Sequence, residues 1–307
     1  MLTPTDKPPT MTDSASKKAL ATVDTAQAAP ECIAIVAQQT GAVLQVTLNR
    51  PELRNAMSLQ MVAELRQVLA AAESTAGQPG AVRVLVLRGA GGHFCAGGDL
   101  KDMAAARMRA LQASQVDRAA DPAADPMAQV NAEFGALCVA YAQTPLAVVA
   151  VLEGTVMGGG LGLACVADVA IASDTASFRL PETALGVVPA QIAPFLVERL
   201  GYSQAKRLAV TGGRLDAAAA LRIGLVHAVA DTADLSTALD QVLADILACA
   251  PGALAATKAL MAQARWSEPQ ALVAQAAALF SRAAQGPEGG EGMSAFIQKR
   301  KPHWALP

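Results

Sequence analysis

Histidine is nearly missing from this sequence: His93, His227 and His303 are the only three in 307 residues. A hydrolase that pairs serine or cysteine with histidine is therefore short of material. His227, between Val226 and Ala228, reads as a half-buried strand residue. Charge is scarce as well, at 16% of residues, and balanced to a formal net of −2. That leaves no basic stripe for nucleic acid and no patch for a membrane surface. Long apolar runs are absent: a membrane span needs ~18–20 uninterrupted residues. The stretch 146–172 comes nearest, but Glu153, Asp168 and several glycines break it. The five cysteines (32, 95, 138, 165 and 249) are odd in number and scattered, and none has zinc-ligand spacing. Buried reduced thiols, a cytoplasmic location and no metal site are the expectations. Three motifs are also missing. Gly-x-Gly-x-x-Gly fails because the frames from Gly158 and Gly160 end on Leu163 and Cys165. No Gly-x-Ser-x-Gly elbow and no phosphate loop ending in Gly-Lys-Ser/Thr occurs.

What is present is an apolar, glycine-punctuated chain, 53% hydrophobic. Residues 1–30 are small and polar and read as a disordered tail. Ile33–Gln38 and Val43–Leu48 alternate as a hairpin, and Ser58 is placed to cap a helix carrying Val62, Leu65, Val68 and Leu69. Ala81–Leu87 and Leu146–Leu152 are short continuous apolar runs, so they read as strands buried on both faces. Residues 102–126, rich in Ala, Met, Asp and Pro, predict a mobile flap. Glu133–Tyr141 and Leu161–Val166 read as helices, and Leu225–Val229 as a last strand. Beyond Asp234 the pattern is helical, with breaks at Pro251, at Trp266–Pro269 and at Gly286–Pro287. The class is α/β, with a core over 31–230 and a helical lobe over 231–307.

Two glycine-rich passages follow strands: Arg88–Lys101 and Gly154–Gly162. Glycines there let main chain approach a ligand closely, and the free N–H groups of the helix after Gly158 favour negative charge. A place for a developing anion and plain tight packing are both compatible with those glycines alone.

Asn49-Arg-Pro51, His93-Phe-Cys-Ala-Gly-Gly-Asp-Leu100, Gly158-Gly-Gly160, Leu180-Pro-Glu182 and the closing Glu291–Lys301 segment occur in that order. Together they resemble the enoyl-CoA hydratase/isomerase (crotonase) superfamily over nearly everything after the tail. The resemblance implies a crotonase-like spiral of ββα turns with a helical C-terminal lobe that assembles trimers, often paired into hexamers. It implies an acyl-CoA thioester as substrate, no cofactor beyond that coenzyme A, and neither nucleic acid nor membrane as partner. It places an oxyanion hole at the backbone N–H groups of Ala96 and Gly159, and an acid/base at Glu182. The alternative for Glu182 is a surface glutamate opening a helix after Pro181.

The family's hydratases commonly carry a second glutamate, which falls here on Gly162, a residue without a side chain. Gly162, with the run Val188–Phe195 downstream, resembles the hydratases of methylglutaconyl-CoA and isohexenylglutaconyl-CoA. On that resemblance the missing side chain leaves room for a branched acyl group, and Arg179 can pair with a distal carboxylate or else be a solvated strand arginine. By family position Arg54, Lys101 and the Lys299-Arg-Lys301 cluster hold coenzyme A. Ala56, Phe94, Gly97, Asp99, Leu100, Gly158 and Pro181 are the remaining substrate contacts it implies. Hydration of a 2-enoyl-CoA is the expected activity. A double-bond shift by the same single glutamate, or a non-catalytic CoA-binding scaffold, are the alternatives.

Overall fold

A computed structural model describes residues 32–112 and 125–305. The tail expected over 1–30, and the part of the flap that includes Asp117 and Asp121, lie outside the described residues.

The frame is a six-stranded sheet in the order β1 (Ile35–Thr40), β2 (Val43–Leu48), β3 (Val84–Gly89), β4 (Ala147–Leu152), β6 (Val169–Ser173) and β9 (Ala228–Ala230). β1 and β2 form the antiparallel hairpin, with Ile35 opposite Leu48, and every later pairing is parallel. β4 is buried at all six positions, as its continuous Ala-Val-Val-Ala-Val-Leu requires. One face of the sheet presents Leu85, Leu87, Val148, Ala150 and Leu152 to the main core. That core contains α1 (Leu59–Ser74), α3 (Pro126–Gln143) and α4 (Gly159–Val166). The other face presents Val84, Val86, Val149, Val151 and Ile171 to Leu235 and Leu239 of α7 (Leu235–Ala248). So the first helix of the lobe expected from 231 onward supplies the second layer of the sheet.

A smaller sheet, β5 (Thr155–Met157), β7 (Ser177–Arg179) and β8 (Arg214–Asp216), was not anticipated from sequence. Each strand has three residues, too few for an alternation to show. Val156, Phe178 and Leu215 form its buried face, and a β-bridge between Cys95 and Val156 continues it into the 93–98 loop.

The flap expected over 102–126 begins as α2 (Leu100–Gln112), an ordered helix that buries Ala106 and Ala110. Ser58 caps α1 by accepting from the amide of Met61, and Asp216 caps α6 (Ala217–Arg222) by accepting from Ala219. α5 (Ala193–Thr211) breaks at Gly201, where φ is 69°. Pro251, Pro269 and Pro287 stand first in α8 (Pro251–Ala264), α9 (Pro269–Gln285) and α10 (Pro287–Ile297). Proline's missing N–H costs nothing at that position. Among the described residues no single helix is long and apolar enough to cross a membrane.

Candidate active site

The parallel strands β3, β4 and β6 deliver their loops to one end of the sheet, and both glycine passages leave from there. They meet back to back. A side chain built at Gly97 would touch the Met157 carbonyl at 3.3 Å, and one at Gly158 would lie 3.6 Å from the Gly97 Cα. Gly97 and Gly158 have φ of 100° and 48°, so the approach needs glycine on both counts.

Buried amides must find acceptors, so those of the 94–99 loop can be followed one by one. Phe94 donates to the Glu153 carbonyl, Cys95 to Thr155, Ala96 to Arg54 and Asp99 to Met57, while Gly97 faces the Cys95 sulfur at 3.4 Å. Gly98 alone in this run donates to no acceptor among the described residues. The expectation for Ala96 is therefore corrected. Its N–H is held at 2.9 Å by the Arg54 carbonyl and is not available to a ligand. In the other passage Gly158 donates to the Arg179 carbonyl and Gly162 to Gly158, whereas Gly159, first residue of α4, has no acceptor among the described residues. The Gly98 amide and the first-turn amides of α4, beginning with Gly159, are thus without acceptors among the described residues.

The loop is braced from behind. Arg54 and Asn55 both have positive φ, 48° and 56°, an uncommon conformation for residues with side chains. Buried Asn55 secures it by accepting from the Arg50 amide and donating to the carbonyls of Ala90 and His93. Arg50 then reaches Asp99 at 2.7 Å and the Ala56 carbonyl at 2.6 Å. Burial alone would raise the Asp99 carboxyl, but Arg50 and the Lys101 amide outweigh it and hold the group below its ordinary range. Asp99 is thus a buried strut of the loop, and the Phe94 side chain is fully buried in the core.

Glu182 stands beside Gly158, its Oε1 3.0 Å from where a Cβ at 158 would be. Its Oε2 is buried and has no hydrogen-bond partner among the described residues. Burial raises the carboxyl pKa, opposed only by a weaker hydrogen bond from its own backbone. It does stand first in a short 3-10 turn, Glu182–Leu185, but its carboxyl is turned inward and not to the surface. Pro181, half-buried, precedes it as the residue that opens this 3-10 turn. By contrast the Cys95 thiol, wholly buried, is pushed up to about 11 and is inert packing against Gly160.

The space beside Gly162 is not empty, which corrects the room expected there. A Cβ on Gly162 would lie 3.0 Å from Phe134 Cζ and 3.3 Å from Ile192 Cγ1. The same ring stands 3.4 Å from a Cβ on Gly159. Phe134, from α3, is half-buried against the core.

Among the cationic candidates, Arg54, Lys101 and Arg179 are exposed and form no salt bridge among the described residues. Lys101, like the 74%-exposed Leu100, lies in the first turn of α2. Arg179 touches the site through its carbonyl, and its side chain points outward opposite Arg214. Lys301 is not brought to this site by its own chain. The nearby Trp304 carbonyl is held by Arg83, just before the start of β3, and the Trp304 indole by Ala248. The site lies past the far end of that strand, about 20 Å away at ~3.3 Å per residue. Asp102 accepts from the Leu59 amide and so supports the first turn of α1. A shallow cleft of about 420 Å³ between α1 and α3, lined by Arg66, Glu73, Gln143 and others, lies outside this constellation.

The family model for enoyl-CoA hydratase/isomerase matches residues 38–306. The chain belongs to this enoyl-CoA hydratase/isomerase family. A solved enoyl-CoA hydratase/isomerase from Marinobacter aquaeolei is 48% identical, covers 90% of this chain and all of its own, and superposes with a TM-score of 0.83. Pseudomonas aeruginosa AtuE is 50% identical, with 89% of this chain and all of its own covered and a TM-score of 0.81. The 2,3-dehydroadipyl-CoA hydratase of Escherichia coli K12 is 33% identical over 262 residues, 85% of this chain and 94% of its own. The crotonase-like α/β fold and membership of an acyl-CoA enzyme family, both expected from sequence, are thereby established. Of the site residues that sequence reasoning missed, Gly98 lay within the quoted motif, two residues past the one chosen. Ile192 lay within the run Val188–Phe195 already singled out, whereas Phe134 had no local signal.

Proposed function

We propose that the protein hydrates a branched 2-enoyl-CoA, with Glu182 as its one acid/base and the amides of Gly98 and Gly159 holding the thioester oxygen. The observation that carries this reading is the buried Glu182 Oε2, without a hydrogen-bond partner among the described residues, on a carboxyl that stands against Gly158. Gly97 also approaches there, and each of those glycines precedes an amide without an acceptor among the described residues. Water adds its oxygen to Cβ as Glu182 takes one of its protons. The displaced electron pair moves through Cα to the thioester oxygen, giving an enolate at the two N–H groups. Glu182 then returns the proton to Cα, completing the addition of water. Each fixed donor is worth ~2.7–4 kcal/mol in such a site, and a positioned acid/base ~10²–10⁴-fold in rate. A carboxyl with a raised pKa suits both taking and returning a proton. Arg54 and Lys101, exposed at the mouth, are suited to the phosphates of coenzyme A. Arg179 is a candidate for a distal carboxylate of a glutaconyl-type group.

One observation favours a second reading. Phe134 fills the place where a second carboxylate would help to hold water. A glutamate acting alone is also suited to moving a proton between two carbons, which is a double-bond shift. A scaffold without chemistry is the weakest of the three, since a buried, unpaired carboxyl is a cost with no purpose there.

Incubating the protein with straight-chain 2-enoyl, 3-enoyl and 3-methylglutaconyl thioesters in heavy-oxygen water separates these. Label in the product marks hydration. A moved double bond without label would replace it by isomerisation, and no turnover of any thioester would leave only binding.

A further inference from the structure

Two features singled out in the sequence, the glycine at 162 and the run Val188–Phe195, meet in space through a third that was not. Ile192, 4% exposed, comes from that run and lies against Gly162. Gln191, its neighbour, lies over Gly135, where any side chain on 135 would collide with it. Between them Phe134 is wedged against the first turn of α4. Gly159 and Gly162 are three residues apart and share one helix face, and both have the Phe134 ring as their nearest neighbour on it. Met57 adds its Cε at 3.9 Å from the Cβ position of Gly159, and Met57 too is buried. Of these three wall residues only Phe134 is partly open. Glu182 lies at the other side of the same turn, against Gly158. An acyl chain whose thioester oxygen rests on the Gly159 amide must leave with a carboxyl on one side and a phenyl ring on the other.

We propose that Phe134, backed by Ile192, is the specificity-determining residue of the acyl site. Its ring supplies an apolar contact for a hydrocarbon substituent on the β-carbon, so the site selects β-branched or β-extended enoyl thioesters over unbranched ones. This rests on the acyl-CoA reading above, but not on whether water is added or a double bond moved. One added or missing carbon in an apolar pocket changes discrimination by about 10–200-fold. The small side chain of Phe134→Ala removes that contact.

Binding of saturated thioesters, which do not react, isolates the point. Calorimetric affinities of butyryl-CoA and 3-methylbutyryl-CoA are measured for wild type, Phe134→Ala and Phe134→Leu, each with its melting curve. Wild type is expected to favour the branched thioester, and Phe134→Ala to lower that preference by about 10-fold, with Phe134→Leu between them. A folded Phe134→Ala with the wild-type ratio to within twofold overturns the assignment; if that variant does not fold, an unchanged ratio in Phe134→Leu does so. Loss of both affinities in equal proportion also overturns it, because a merely structural ring would behave that way. Absence of acyl-CoA binding by wild type is a different failure, that of the functional reading itself.

Discussion

Two carboxylates here, half-buried Glu182 and buried Asp99, are tuned in opposite directions, and their titration is open to test. Glu182 is raised by burial, so ionising it costs the folded state. Stability from this group is full below the ordinary value of 4.5 and is lost as pH rises through the raised folded pKa. Glu182→Gln should therefore melt higher than wild type at pH 7 and no higher near pH 4, which scanning calorimetry would read. Asp99 is the reverse: its pKa lies below the ordinary 3.8, so its contribution is present above that value and fades as pH falls through the folded one. Asp99→Ala at neutral pH leaves the partly exposed Arg50 with only the Ala56 carbonyl, and losing a charge-assisted contact of this kind costs about 1–3 kcal/mol. A denaturant midpoint unchanged by that substitution would remove Asp99 from its bracing role. Gly162→Glu should not restore a two-carboxylate site, because its Cβ falls 3.0 Å from Phe134. Overpacking of this sort costs about 1–3 kcal/mol. The double variant Gly162→Glu/Phe134→Ala should recover stability and gain activity on crotonyl-CoA relative to the single one. Equal activities on that substrate would show that the ring does not compete for the space.

At the scale of elements, legibility followed the number of residues carrying each signal. β4 and α4 were readable because every position is apolar and a glycine cluster separates them. α1 was readable from Ser58, where a side-chain oxygen takes a first-turn amide. β5, β7 and β8 were not, since strands this short exist only through pairing with distant chain. The flap was misjudged in part because α2 is held by tertiary packing of small residues, Ala106 and Ala110, which give weak periodicity. The exchange of Ala96 for Gly98 has a geometric origin. The left-handed turn at Arg54 and Asn55 turns a carbonyl onto the Ala96 amide, and sequence does not reveal which amide of a loop a distant carbonyl will take. Phe134 was invisible for a related reason, as α3 and α4 meet only once the chain has folded.

The whole molecule is a sheet covered on both faces, with an unfinished surface. Trp266, Val273, Phe280, Phe296 and Ile297 of the C-terminal helices and their connections are 66–85% exposed. Neither α8 nor α9 has a single buried residue. Large exposed apolar surface of this kind marks association, in keeping with the trimer or hexamer expected from the family resemblance. Mass photometry at micromolar concentration should show trimers or hexamers, and Phe280→Asp with Phe296→Asp should shift the population toward monomer. A wild-type monomer under those conditions would contradict the assembly. Lys301, remote from its own chain's site, then has a role in coenzyme A binding only if a neighbour's site receives it.

The most direct measurement of the central claim compares wild type with Glu182→Gln on the best thioester of the panel, following label from heavy-oxygen water alongside acyl-CoA affinity. The substitution keeps size and removes the proton carrier. Incorporation should fall by ~10²-fold or more while affinity stays nearly unchanged. A Glu182→Gln protein that labels its product at the wild-type rate would show that Glu182 is not the acid/base.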